Sequence, residues 1–576
     1  MSAFSGVRVL DFSSNFAPAM AAMHLGDFGA EVVKIDPTLE ERGRDTPGWL
    51  AFNRNKTRIA LDLAKPADLA AAKKLIADAD VAIFDHPPGE LEKLGLDGAT
   101  LSKAHPRLIH LWAPPYGETG KWSGLPASHT LLTAVTGIAF RQASYADQPV
   151  HLTTPQAYYG QANMGAAAIG AALLERDRSG LGQAIVVSGL NGAAEVSPVA
   201  KIDANPPIIL IGKPLGGAPS YRLYQCADGE WFFLGALFEA FYMKALIASD
   251  VMGEVLADPA IEGDMDKMLQ PPTNQITMRK LEEAFRSKTR AEWLEILQAA
   301  DVPCGPVLSR EEWFASETVA VNELRVELDH PDLGRVAIPG VSLKLEKTPG
   351  AVRHLAKNAA IGDIQPHPQP AGKAQGARTM PLAGIKVLDL GAVIAGPYCG
   401  AILAGFGADV VKIEPLEGDS FRSATAIWGS YNRGKRGLVL DLKTQAGRDL
   451  FLEMAAQADI VLDNYRLGVR ERLGIDYLTL KALNPKLISL SISGYGAKGA
   501  LANLPGFDPL LQAQGGLQHA QGQEGGEPVF YQIPVNDVTT AALTAFGLIA
   551  ALNARAQSGE GQEVLTSLAG TSVMAQ

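Results

Sequence analysis

The chain repeats itself. The segment SGVRVLDFSSNFAPAMAAMHLGDFGAEVVKIDP, from Ser5, matches AGIKVLDLGAVIAGPYCGAILAGFGADVVKIEP, from Ala383, and the match continues downstream. Asn53 and Asn432, Pro126 and Pro505, and Gln183 and Gln562 each stand 379 residues apart. A spacing held that far is a duplication, so the chain has to fold as two versions of one unit. Each copy opens with an apolar strand, a small-residue turn, an amphipathic helix and a second apolar strand ending on an acid, Asp36 or Glu414. Strand and helix signals keep alternating after that, through GLVLDL, DIVLDN and KLISLSISGYG in the second copy. Such alternation predicts a parallel sheet covered by helices on both faces.

The expected fold class is therefore α/β, a duplicated Rossmann-like parallel-sheet large domain with an inserted smaller α+β domain. Residues 1–205 read as the first large copy and 381–576 as the second. Between them, 206–349 reads as the α+β domain: YRLYQCADGEWFFLGAL is a hairpin turning at Asp228-Gly229, and KLEEAFRSKTRAEWLEILQAA is two short helices. Residues 350–380, rich in Pro, Ala and Gln, read as a linker. The second copy reaches its strand EVLTSLAG, and no small domain of its own is expected within the sequence.

Net charge is −11, which supplies no basic excess for broad nucleic-acid binding. Cys226, Cys304 and Cys399 are too few and scattered for a disulfide framework or a zinc cage, so a reducing, cytoplasmic setting is expected. The opening MSAFSGVRVLDF lacks a basic segment followed by a long apolar run, so no signal peptide is expected. The apolar stretch Ala162–Leu174 is too short to span a bilayer, and no membrane partner is expected. The ten His show no metal-ligand spacing. GAVIAGP lacks the G-x-G-x-x-G spacing, which argues against a nicotinamide cofactor. Cys304, in VPCGPV, has no neighbouring His and reads as part of a rigid Pro-Cys-Gly-Pro turn rather than a nucleophile.

The chemistry concentrates in the second copy. Tyr531–Val564 reads as an extended approach to Asp537, a helix apolar on nearly every face, and a Ser558–Gly561 turn into a strand. Asp537 has two readings, a helix N-cap or an ionised carboxylate able to attack an activated acyl group. The matching residue of the first copy is Tyr158, so the fold does not require the acid. Basic clusters diverge the same way. Arg433, Lys435 and Arg436 in NRGKRG, Asn464, Tyr465 and Arg466 in DNYRLG, then Arg470 and Arg472, contrast with Asp85, His86 and Pro87 and then Glu90 and Lys93 in the first copy. They read either as solvated surface or as a seat for a polyphosphate with a flat base packed on Tyr465.

These segments resemble the family III CoA-transferases, the formyl-CoA and carnitine CoA-transferase family, in a tandem fused form with a degenerate first copy. The motifs that carry it are LAGIKVLDLGAVIAGPYCGAILAGFGADVVKIEP, NRGKRGLVLDLKTQAGRDL, ADIVLDNYRLGVRERLG, NPKLISLSISGYG, IPVNDVTTAALTAFGLIAAL and DVPCGPVLS. The resemblance implies that Asp537 forms a mixed anhydride and then an aspartyl-CoA thioester, from which a small carboxylic acid collects the CoA. It implies CoA contacts at Val393, Ala395, Leu440, Leu442, Lys443, Asn464, Tyr465 and Arg472, with coenzyme A as substrate and no tightly bound cofactor or metal. Pro415 stands where the family often has a phosphate-binding arginine. The fold also includes α-methylacyl-CoA racemases, whose G-H-D motif is Gly506-Phe507-Asp508 here, so transferase is favoured over racemase. A non-catalytic CoA-binding protein is the third reading. Family members are interlocked dimers, which implies an intramolecular pseudo-dimer with room for further self-association. The loop Leu215–Arg222 resembles the family loop that covers the site, or is a surface loop before the hairpin.

Overall fold

The apolar runs become two seven-stranded sheets. The computed structural model describes residues 2–40, 46–142, 144–198, 213–367, 377–522 and 525–574. In the first copy, β1 (Arg8–Asp11), β2 (Glu31–Asp36), β3 (Lys56–Ala60), β4 (Val81–Phe84), β5 (Ile109–Trp112) and β6 (Ala184–Val186) lie side by side and parallel. Their order is β3-β2-β1-β4-β5-β6. This is the doubly wound arrangement, with its change of direction between β1 and β4.

The intervening chain divides its attachments. β7 (Tyr221–Gln225), β8 (Trp231–Gly235) and β9 (Cys304–Pro306) form a three-stranded antiparallel sheet over its own apolar core. Its hairpin turns at Asp228-Gly229, where Gly229 adopts φ +82°. Cys304 is thus a strand residue paired with Leu234, not part of a rigid turn, and burial pushes its thiol up to about 12. The hairpin β10 (Arg325–His330) and β11 (Gly334–Pro339) packs instead on the first copy, where Ile338 meets Leu50 and Ala51. β12 (Lys344–Leu345) then adds to the far copy's sheet, and β13 (Lys357–Asn358) adds to β3. The segment expected as a plain linker therefore contains an edge strand, because Asn55 and Arg58 hold it through Arg353 and Asn358. Its Pro/Gln-rich part, 368–376, lies outside the described residues.

The second copy repeats the first sheet. β14 (Lys386–Asp389), β15 (Asp409–Glu414), β16 (Arg436–Val439), β17 (Ile460–Asp463), β18 (Ile488–Ser493) and β19 (Glu563–Ser567) take the order β16-β15-β14-β17-β18-β19, with β12 antiparallel on β19. β17 is buried along its whole length, as a strand covered on both faces must be.

Two long helices join the copies. Gln156–Ser179 and Val535–Ser558 occupy equivalent places and pack on each other inside one continuous core. Gly170 lets them approach: Asn553 Nδ2 donates to its carbonyl at 3.1 Å, and a Cβ there would stand 2.8 Å from Ile549 Cγ2. Val535–Ser558 is long and apolar enough to cross a membrane, yet it is almost wholly enclosed by this fold.

Candidate functional site

At the second copy's switch point, beyond the carboxyl ends of β14 to β17, lies a cavity of about 700 Å³. Leu390 and Gly391 follow β14, Glu414 ends β15, Leu440 follows β16 and Tyr465 follows β17. Four cations line it, Lys412, Lys443, Arg448 and Arg472, against three acids, Glu414, Asp419 and Asp441. Lys412 is buried and neutralised by Asp419 at 3.2 Å. Glu414 is held by Arg422, whose guanidinium lies 4.1 Å over the Trp428 ring. Among the described residues Lys443, Arg448 and Arg472 form no ion pair with an acid, leaving three cations for an anionic ligand.

A second cavity, about 280 Å³, holds Asp537. The turn after β14 separates the two spaces: Gly391 and Ala392 line the larger one, Val393 and Ile394 the smaller. Val393 takes φ +66°, a left-handed conformation that a β-branched residue pays strain to hold. Asn464 fixes this turn from both sides, accepting from Ala392 N and donating to Ala392 O, each at 2.8 Å.

Asp537 is the third residue of its helix, after Val535 and Asn536, and the N-cap is Pro534. The group at the helix mouth is Asp508, 3% exposed, which accepts from Asn536 N at 2.6 Å and Asp537 N at 3.2 Å and is also held by Gln512 Nε2. Burial raises the Asp508 carboxyl to about 7 even against these donors. Burial, and then the Asp508 charge, push Asp537 well above the carboxylate range. Two carboxyls so close cannot both ionise freely, and they titrate as a pair. The helix dipole expected to keep Asp537 ionised is outweighed by burial and by its like-charged neighbour.

Residues from three parts of the chain wall this cavity: Arg141 and Val196 from the first copy, Tyr221 from β7, and Tyr431, Phe507 and Phe530 from the second copy. The loop Leu215–Arg222 lies against the approach to Asp537, where Phe530 N donates to Pro214 O at 2.7 Å and Tyr221 reaches the cavity.

The corresponding place in the first copy is filled. Tyr158 packs edge-on against Phe16 at 5.2 Å, and Phe16 stacks on Phe52 at the same distance. The counterpart of Asp508 is His129, which burial, and then His151, lowers to about 4. The first copy's switch-point cavity, about 600 Å³, is lined by the acids Asp36, Asp62, Asp85 and Glu90 with the single lysine Lys93.

Of the residues expected at a CoA site, Leu440, Leu442, Lys443, Tyr465 and Arg472 line the larger cavity. Val393 lines the Asp537 cavity instead. Ala395 is buried at the start of the helix Ala395–Gly405, and Asn464 acts on the turn. The NRGKRG cations do not line the cavity. Lys435 is buried in an ion pair with Asp389 at 2.6 Å, and Arg433 lies over the Tyr398 ring. Arg436 begins β16, at the amino end of the strand and away from the cavity at its carboxyl end, and pairs with Asp409. Arg466 pairs with Asp301 of the antiparallel domain, and Arg470 with Glu563. Sequence pattern alone assigns no site role to Asp508, Arg448 or Arg141, all of which line these cavities. The first two lie in motifs already aligned, whereas nothing local marks Arg141. Among the described residues no cluster of His, Cys, Asp and Glu could hold a metal ion.

The model of CoA-transferase family III matches residues 4–357 and 382–576, one segment for each copy. The chain is 27% identical over 652 residues to the CoA-transferase/lyase DddD of Marinomonas sp. (strain MWYL1), covering 99% of this chain and 75% of that protein. It is 41% identical over 203 residues to the succinyl-CoA:mesaconate CoA-transferase of Haloarcula hispanica, covering 32% of this chain and 51% of that one. It is 37% identical over 202 residues to the succinate--glutarate CoA-transferase of Agrobacterium fabrum, covering 32% of this chain and 50% of that one. The chain thus spans three quarters of the first relative and about half of the other two. Among solved structures, Rv3272 from Mycobacterium tuberculosis superposes with a TM-score of 0.55 at 23% identity, covering 62% of this chain and 97% of that one. A CAIB/BAIF family protein from Brucella suis gives 0.54 at 20%, covering 61% and 95%. At these identities the likeness is one of fold.

Proposed function

Because the chain belongs to CoA-transferase family III, we propose that it moves CoA from an acyl-CoA thioester to a small carboxylic acid at one site, built on the second copy. The observation that carries this reading is the adjacency of two unlike cavities across one turn. One offers Lys443, Arg448 and Arg472 to phosphates and Tyr465 to a flat base; the other offers a carboxyl, Asp537, to the acyl end.

The Asp537 carboxylate attacks the thioester carbonyl carbon, the C–S bond breaks, CoA leaves as thiolate, and an anhydride remains. The thiolate then attacks the Asp537 carbonyl, expelling the donor acid as carboxylate and leaving an aspartyl-CoA thioester. The acceptor carboxylate attacks that thioester and frees the thiolate, which takes the acceptor's acyl carbon and regenerates the Asp537 carboxylate. No external proton source is consumed, and the hard displacement is divided into easier ones. Burial that raises the Asp537 pKa also leaves its ionised form basic and poorly solvated, which suits a nucleophile. Asp508 sets the helix mouth and shares the pair's proton. The first copy acts as the partner half of an intramolecular pseudo-dimer, a role supported by the packed central helices. The three scattered cysteines support a cytoplasmic setting.

The test is Asp537→Ala with acyl-CoA and hydroxylamine. Loss of both CoA transfer and the hydroxylamine-trapped acyl-enzyme is expected; full transfer by the variant overturns the proposal.

A further inference from the structure

Arg141 is the one cationic side chain among the described residues lining the Asp537 cavity, and it comes from the other copy. It ends the short helix Ile138–Arg141. The next residue straps that helix to the approach to Asp537: Gln142 Nε2 donates to Phe530 O at 2.8 Å, and its Oε1 accepts from Gln532 N at 3.2 Å. Nearby, Tyr145 OH donates to Pro528 O at 3.1 Å, and the hydroxyls of Thr153 and Tyr531 are hydrogen-bonded at 2.7 Å. The position of Arg141 is therefore built, not incidental.

Its guanidinium donates to Ser197 Oγ at 2.8 Å and forms no ion pair with a described acid. Tyr431, in the same cavity, is subject to both the Asp537 carboxylate and the Arg141 guanidinium, so the three groups share one small space. Much of the remaining wall is apolar or aromatic, including Ile394, Phe421, Phe507, Pro509 and Phe530. A half-buried cation in such a wall is costly until an anion neutralises it, and Asp537 and Asp508, both biased toward the protonated form, serve that purpose poorly. At the repeat-related position the second copy has Ala520, so the arginine occurs only where it faces the Asp537 cavity.

We propose that Arg141 is the specificity-determining residue of this site and holds the distal carboxylate of a small dicarboxylic acid, whose reacting end lies at Asp537. This rests on the CoA-transfer reading above and names its substrate class. A cavity of about 280 Å³ suits a short chain, and a planar guanidinium suits a carboxylate in bidentate contact. A monocarboxylate of equal length leaves the cation unpaired and is rejected for that reason.

The experiment compares succinate with butyrate as CoA acceptors from acetyl-CoA, using the full chain, and titrates both acids calorimetrically into Asp537→Asn. The native protein is expected to favour succinate by roughly 100-fold in kcat/KM. Arg141→Gln lowers the succinate-to-butyrate ratio by about 30-fold or more, chiefly through the succinate KM, and Arg141→Lys recovers part of it. Equal use of both acids by the native protein, or an equal loss for both in a folded Arg141→Gln or Arg141→Lys variant, overturns the proposal. The titration separates the two readings. Succinate binding that Arg141→Gln abolishes in the Asp537→Asn background supports the arginine's role even where transfer is absent, and undiminished binding there contradicts it.

Discussion

The two copies share a skeleton and differ at a cavity. In the first, Lys56 Nζ sits buried between Asp11 at 2.9 Å, Asn53 Oδ1 at 3.1 Å and the Ala19 carbonyl at 2.7 Å. In the second, Lys435 does the same with Asp389 at 2.6 Å, Asn432 at 3.0 Å and the Pro397 carbonyl at 2.5 Å. A buried pair so satisfied ties the strand to the turn and the helix behind it, and losing one partner is costly, so it belongs to the fold. Where the copies part, the differences cluster in space: Tyr158 against Asp537, His129 against Asp508, Phe52 against Tyr431, and an acid-lined cavity against one with three cations that form no ion pair among the described residues. One half keeps the scaffold and fills its pocket with rings; the other keeps the pocket open and charged.

The comparison breaks most directly at its sharpest contrast. Asp537→Ala should lower kcat by at least about 10³-fold, whereas Tyr158→Phe should change it by about twofold or less, read from steady-state CoA transfer. Equal losses would mean both halves react.

The next contrast is in pH. Asp508 has a folded value of about 7 against 3.8 unfolded, so the folded chain holds an extra proton between those values and stability falls as pH rises through that window. Asp508→Asn should therefore gain on the native protein from pH 4 to pH 7, by about 2–4 kcal/mol at the upper end in denaturant titrations. Native transfer activity should stay low through that window and rise only as pH approaches and passes about 7, where the pair begins to ionise. His129 has the opposite sign. Its value is lowered from 6.5 to about 4, so its penalty grows as pH falls through that interval, and His129→Gln should gain on the native protein only there.

For the larger cavities, Arg472→Ala should raise the acyl-CoA KM by about 10- to 100-fold, the worth of a charge-assisted phosphate contact, while Lys93→Ala in the first copy leaves it unmoved. Smallest is the seam the copies share. Gly170→Ala pushes a methyl to 2.8 Å from Ile549 and should cost about 1–3 kcal/mol of stability.

Much of this was legible beforehand because it is periodic or duplicated. The strands ending at Asp36 and Glu414, the hairpin at Asp228-Gly229 and the helix near Tyr477–Leu483 follow from local pattern alone. What escaped is non-local. Lys435 and Arg436 look alike in NRGKRG, yet one points into the core and the other stands exposed at the amino end of β16, away from the cavity. Asp508 looked like a failed G-H-D motif until the fold brought it to the mouth of the Asp537 helix. Arg141 lies 396 residues from Asp537, and only the pairing of the two halves brings them to one cavity. The antiparallel segment likewise divides its attachments between copies, which no local periodicity encodes.

The central claim is one reacting carboxylate per chain. Intact-mass and peptide mapping of the full chain, trapped during turnover with acyl-CoA, should find a single covalent adduct on the peptide carrying Asp537, absent from Asp537→Asn. A second adduct on the first copy, or sustained transfer with Asp537 unmodified and dispensable, would contradict it.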